Sequence, residues 1–176
     1  MTVQEFYETY YLKHPVVSTD TRTISQGSIF VALRGENFDG NQYAAKAIEA
    51  GAVCAVVDDK SVVSDRCVYV ENTLQFLQDL ARYHRMQLNI PVIGVTGTNG
   101  KTTTTTMIGE IVAKSIESCS HIGGESVNYN DNLIISGKNK DVFITEACEY
   151  KDSFLSLQPD VAILLNISAD HLDYFK

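Results

Sequence analysis

The sequence predicts an α/β protein in two parts, and three observations carry that reading. Short β-branched apolar runs alternate with helix-period segments along the chain, the pattern of parallel strands joined by helical crossovers. Pro91 ends one periodic helix and opens a new strand pattern, because proline cannot continue a helix and biases its predecessor toward extended geometry. A glycine-bearing turn at residues 97–102 joins an apolar strand directly to a helix. The expected organisation is a small N-terminal α/β domain over residues 1–89 and a phosphate-loop domain with a parallel sheet over residues 90–176.

Residues 28–33 (SIFVAL), 53–57 (VCAVV) and 67–70 (CVYV) are short, apolar and rich in β-branched side chains, so each is expected as a strand. Between the first two, residues 41–50 read as a helix. Asn41 would be its N-cap, Ala44, Ala45, Ala47 and Ile48 its apolar face, and Gly51 its stop. Leu74, Leu77, Leu80, Ala81, His84 and Leu88 recur at three and four residues, which predicts a long helix with those residues packed. His84 belongs to that face; no second His or Cys lies one turn away to make it a metal ligand. After the break, residues 92–96 (VIGVT), 142–145 and 161–165 are expected as the strands of a sheet of about three. Pro159-Asp160 announces the last of them. Met107, Ile108, Ile111 and Val112 would form the packing face of the helix that follows the turn.

Composition narrows the function. The chain has 176 residues, 44% of them apolar, as a folded protein requires. Its 14 Lys+Arg against 22 Asp+Glu give a net charge of −8, which argues against a nucleic-acid or anionic-membrane binder. No apolar run approaches the roughly 20 residues of a membrane span. The first residues, MTVQEFYETYYLKH, lack the basic start and apolar centre of a secretory leader. Cys54, Cys67, Cys119 and Cys148 have neither CxxC nor zinc spacing, so they are read as reduced thiols in or near the core of a cytoplasmic protein.

The chemistry concentrates at residues 97–102, Gly-Thr-Asn-Gly-Lys-Thr. Gly97 and Gly100 permit close backbone approach, so that the N–H groups of the loop, Thr98 and Asn99 included, and the helix N-terminus cradle phosphate. Lys101 can reach the β- and γ-phosphates, and the Thr102 hydroxyl is a Mg²⁺ ligand type. Of the threonine run 102–106, Thr102 and Thr103 are the functional candidates. Two residues separate the glycines, where the common phosphate loop has four. A Mg-nucleotide also needs acids at the carboxyl ends of parallel strands. The strand at 142–145 runs into Glu146; the strand at 161–165 runs into Asn166, with Asp170 and His171 beyond. Glu149 and Asp152 are the alternatives to Glu146, but they lie past the strand end and read rather as surface acids.

TGTNGKTT, residues 96–103, resembles the ATP loop of the Mur ligases of peptidoglycan synthesis and of their relative folylpolyglutamate synthase. The resemblance covers nearly the whole chain, but its halves resemble different members. Residues 1 to about 103, through STDTR (18–22), the 27–52 segment and ARYHR (81–85), are similar to the member that adds D-alanyl-D-alanine. From about 104 onward, GGESVNYNDN (123–132), TEACEYKDSFL (145–155) and LNISADHLDYFK (165–176) are similar to the member that adds L-alanine. A recombined, mis-joined or designed chain would each show such a switch.

The resemblance implies an ATP- and Mg²⁺-dependent ligase that joins an amino acid or dipeptide to a UDP-N-acetylmuramyl substrate through an acyl phosphate. Family members have three domains and several hundred residues. This chain would then hold the UDP-binding domain and the first part of the ATP-binding domain, and would be inactive alone. Carried over by position, Thr21, Arg22, Glu36, Asn37 and Phe38 contact the UDP end. Lys101, Glu146 and His171 are catalytic, Thr102, Glu146 and His171 hold metal, and Asn166 shapes the nucleotide site beside Gly97, Thr98, Asn99, Gly100 and Thr103. The reading from another class is a nucleotide-binding module without turnover.

Overall fold

Four parallel strands organise the front of the chain. In the computed structural model, which describes residues 1–124, 131–149, 154 and 157–169, β1 (Val17–Ser18), β2 (Ile29–Val31), β5 (Cys54–Val57) and β6 (Cys67–Tyr69) lie in the order β1-β2-β5-β6. All three pairings are parallel. β2 and β5 are buried along their whole length, which is why they read as continuous apolar runs. Alternation assigns their faces. Ile29, Val31, Cys54 and Val56 pack with Phe6, Tyr7, Val68, Phe76 and Leu80. Phe30, Ala32, Ala55 and Val57 pack with Ala44, Ala47 and Ala52.

Helices cover both faces. α1 (Val3–Phe6) opens with a capping box in which Thr2 and Glu5 satisfy each other's backbone N–H groups, and a π-helical turn, Tyr7–Tyr11, follows it. The long helix α3 (Thr73–Gln87) buries Thr73, Phe76 and Leu80. The expected stripe is therefore rotated: Leu74, Ala81 and Leu88 are exposed, and Phe76 takes the packed position. His84 does pack, with its Nδ1 3.1 Å from the Tyr7 hydroxyl. The helix expected at 41–50 also differs. It begins as a 3-10 turn, Gly40–Tyr43, capped by Asp39, and continues as α2 (Ala44–Glu49). Asn41 is not the cap. It is buried and bonds the Asp39 and Asp58 side chains. A two-residue hairpin, β3 (Arg34–Gly35) with β4 (Phe38–Asp39), precedes it.

The chain divides at Leu88 and Asn89 into two units. In the second, β7 (Val92–Thr96), α4 (Lys101–Val112), β8 (Ser118–His121), β9 (Leu133–Ile135), β10 (Val142–Glu146) and β11 (Val161–Leu164) follow in sequence. The described sheet has five strands, not three, in the order β11-β7-β10-β8-β9. Every pairing is parallel except β8 with β9. Ser118 and Ser120 are fully buried, so serines occupy positions where an apolar pattern would have announced β8. The face of α4 is likewise shifted. Thr105 and Gly109 are buried, whereas Met107 and Ile111 are exposed. A Cβ at Gly109 would stand 2.5 Å from the Ser120 hydroxyl, so the missing side chain lets helix and strand approach. β11 is an edge strand of the described sheet.

All four cysteines are free. Cys54 is buried and Cys67 and Cys119 are half-buried, but Cys148 is exposed and not part of a core. Burial pushes the Cys54 thiol up to about 12, so it is unreactive at neutral pH. Among the described residues no helix is long and apolar enough to cross a membrane.

Candidate functional site

The loop between β7 and α4 has the backbone that its glycines allow. Gly97 has φ +134° and Gly100 φ +86°, both in the region L side chains rarely adopt. Gly100 is also the N-cap of α4 and supplies no side-chain cap, so the first N–H groups of a 12-residue helix stay available to an anion. A Cβ on Gly97 would come within 3.0 Å of the Asn166 backbone. Asn166 lies just beyond β11 and is tied to the loop. It accepts from the Asn99 N–H at 2.9 Å and donates to the Asn99 carbonyl at 2.8 Å. Its own carbonyl accepts from the Thr98 N–H, and the Ser168 N–H donates to the Thr98 hydroxyl at 2.9 Å. The carboxyl end of β11 thereby holds the loop's shape.

Lys101 folds back over the loop. Its ammonium donates to the Gly97 carbonyl at 2.7 Å and to both Glu149 oxygens at 3.2 and 3.0 Å. The surface role expected for Glu149 is thus corrected: its carboxylate is 21% exposed and paired with the loop lysine. Glu146, the last residue of β10, accepts from the Gly123 N–H at 2.6 Å. A Cβ on neighbouring Gly124 would lie 3.7 Å from the Thr102 methyl. Lys101, Thr102, Glu146, Glu149 and Asn166 therefore gather at the carboxyl ends of parallel strands. Thr102 and Thr103 are both exposed. Thr102 hydroxyl and Glu146 carboxylate are hard oxygen donors suited to Mg²⁺. His171, like Asp170, lies outside the described residues. Among the described residues no three His, Cys, Asp or Glu side chains converge as a metal cluster.

A second concavity belongs to the front unit. A cleft of about 390 Å³ is lined by residues that include Thr21, Arg22, Phe30, Phe38, Tyr43 and Lys46. Phe38 and Tyr43 stack at 5.4 Å with planes 16° apart, and Phe38 is 48% exposed, so the pair offers a flat aromatic wall. Asp20 chelates Arg22 through Nε at 3.0 and 2.9 Å and Nη2 at 2.6 Å. That hydrogen bonding pulls the Asp20 carboxyl down to about 2. The cleft unites three of the five expected contact residues. Glu36 and Asn37 form the exposed turn of the β3–β4 hairpin and do not line it.

Two Mur ligase domains match the chain in tandem: the Mur ligase family catalytic domain over residues 15–85 and the Mur ligase middle domain over residues 95–176. The chain belongs to the Mur ligase family. A UDP-N-acetylmuramoyl-tripeptide–D-alanyl-D-alanine ligase of Bacillus subtilis is 34% identical over 171 residues, 89% of this chain and 36% of the relative. A UDP-N-acetylmuramate–L-alanine ligase of Acetivibrio thermocellus is 54% identical over 85 residues, 48% of this chain and 18% of the relative. The crystal structure of the MurF ligase of Thermotoga maritima in complex with ADP superposes with a TM-score of 0.75 at 29% identity, covering 89% of this chain and 38% of that one. The chain thus spans well under half the length of these Mur ligases. Its relatives include two that add different groups, in keeping with the mixed resemblance of its sequence.

Within this Mur ligase chain, sequence reasoning missed Tyr43 and Lys46, and it named Glu149 but left it on the surface. Glu149 follows a strand end by three residues, and its partner lies 48 positions away, so no local pattern marks it. Tyr43 and Lys46 sit in a segment read only for its helix period. The stacking of Phe38 on Tyr43, five residues on, depends on the intervening turn.

Proposed function

We propose that this chain supplies the nucleotide-binding and UDP-binding parts of an ATP-dependent ligase. In that reaction a carboxylate oxygen of a UDP-N-acetylmuramyl substrate attacks the γ-phosphorus, and ADP leaves. An amino acid or dipeptide amine then attacks the acyl phosphate, phosphate leaves, and an amide forms. The observation that carries the reading is the loop at 97–102, held by Asn166 at the same strand ends that present Glu146. The Thr98 and Asn99 N–H groups, expected on phosphate, are taken up by Asn166; the N–H groups of the first turn of α4 and Lys101 suit the phosphates, and positioning and charge stabilisation are what phosphoryl transfer asks of a protein. Thr102 and Glu146, with His171 by family resemblance, would hold Mg²⁺, which neutralises charge on the phosphates. The cleft of Thr21, Arg22, Phe38, Tyr43 and Lys46 suits a base on the aromatic pair and a diphosphate on the cations.

Calorimetric titration tests the two parts separately. Mg·ATP binding should be lost in Lys101→Ala while UDP binding persists, and Phe38→Ala should do the reverse. A chain that binds neither refutes the reading. The acceptor is identified by phosphate release with UDP-N-acetylmuramate plus L-alanine against a UDP-muramyl tripeptide plus D-alanyl-D-alanine, each measured above the Lys101→Ala control.

A further inference from the structure

The phosphate loop carries its own counter-ion. An ammonium has three protons to donate. Lys101 directs one at the Gly97 carbonyl, 2.7 Å away, and faces both oxygens of Glu149 with the rest. The pair is largely shielded, with Lys101 16% and Glu149 21% exposed, so solvent screens it less than an ordinary surface pair. The two nearby acids of this segment are used differently: Glu146 turns to the Gly123 backbone and Glu149 to the loop lysine.

We propose that Glu149 is a displaceable counter-ion of Lys101: a polyphosphate gains the lysine by replacing the carboxylate, so Glu149 sets how tightly the loop holds a nucleotide. The inference rests on the phosphate-loop reading above. A phosphate oxygen and a Glu149 oxygen compete for the same ammonium protons. The carboxylate also lies within about one ion-pair length of the incoming anion and repels it. The Gly97 bond is untouched by the exchange and keeps the lysine over the loop. Replacing the carboxylate by an amide of the same shape removes the charge repulsion and leaves one neutral, weaker acceptor to compete for the ammonium, and a serine removes that acceptor as well.

The test measures binding of Mg·ATP, and of tripolyphosphate without magnesium, to the full chain and to Glu149→Gln, Glu149→Ser, Lys101→Ala and the Lys101→Ala/Glu149→Gln double variant. Melting curves establish that each is folded. Glu149→Gln and Glu149→Ser should bind both probes about threefold to tenfold more tightly than the parent, the range a shielded ion pair is worth. In the Lys101→Ala background the Glu149 change should have a much smaller effect, because the competition acts through the lysine. Unchanged or weaker binding of both probes by folded Glu149 variants overturns the proposal. So does weakening confined to Mg·ATP, which would make Glu149 a metal ligand instead. Parent-like affinity in Lys101→Ala overturns the phosphate-loop reading itself, and the two failures are thereby told apart.

Discussion

Asp58 follows β5 and draws donors from three residues: Arg34 Nε and Asn41 Nδ2, each at 2.8 Å to one oxygen, and the Thr73 N–H at 3.3 Å to the other, where the Thr73 hydroxyl also lies at 3.2 Å while donating to the Ala32 carbonyl at 2.7 Å. Burial pushes its carboxyl up, but the hydrogen bonds from Asn41, Arg34 and Thr73 outweigh it, and the net shift is downward. A folded value below the unfolded one means the stabilisation is fully present above the ordinary aspartate range and is lost as pH falls through the folded value. Asp58→Asn should cost about 1–3 kcal/mol at neutral pH, since an amide nitrogen would face donors. Its stability should then fall less steeply than the parent's in acid, as denaturant titrations at several pH values will show. Gly97 is the second position where one residue decides much. Gly97→Ala must adopt φ +134° and crowd the Asn166 backbone. Strain of about 1–3 kcal/mol is expected, with Mg·ATP affinity reduced in the same titration that tests Lys101.

At the scale of elements, the contact of α4 with β8 shows periodicity misleading by a fraction of a turn. Met107 and Ile111 look like packing residues, yet Thr105 and Gly109 are the buried ones. The helix is pressed against serines of β8, and small groups fit where large apolar ones do not. Gly109→Val should therefore overpack the contact and destabilise by about 1–3 kcal/mol. Met107→Gln should stay within about 0.5 kcal/mol of the parent. Chemical denaturation of the pair checks both, and equal costs would contradict this packing. The α3 helix carries the same lesson. Its period was legible, but the side that packs was set by Phe6, Tyr7 and the sheet residues of the first core cluster.

For the whole molecule, the division at Leu88 and Asn89 separates two sheets, and each has its own strand order. Residues 1–88 contain a parallel sheet covered on both faces, so that piece made alone should melt cooperatively. Limited proteolysis of the chain should release it through cleavage near residues 88–91. A 1–88 piece without a melting transition would contradict the two-unit organisation.

Several features were determined by sequence alone, because each depends on local chemistry. The α/β class follows from runs of β-branched residues too apolar for exposed strands. The break near residue 90 follows from a proline that no helix interior tolerates. The sharp turn between β7 and α4 follows from Gly97 and Gly100, whose positive φ angles other residues rarely adopt. Tertiary structure decided what depends on distant partners. Strand β8 was hidden because buried serines carry no apolar signal. Asn41 became a buried bridge to Asp58, 17 residues away, rather than a helix cap. Glu149 was drawn from the expected surface onto Lys101 because β7 and β10 are neighbours in the sheet, and that parallel pairing brings residues far apart in the chain to the same strand ends.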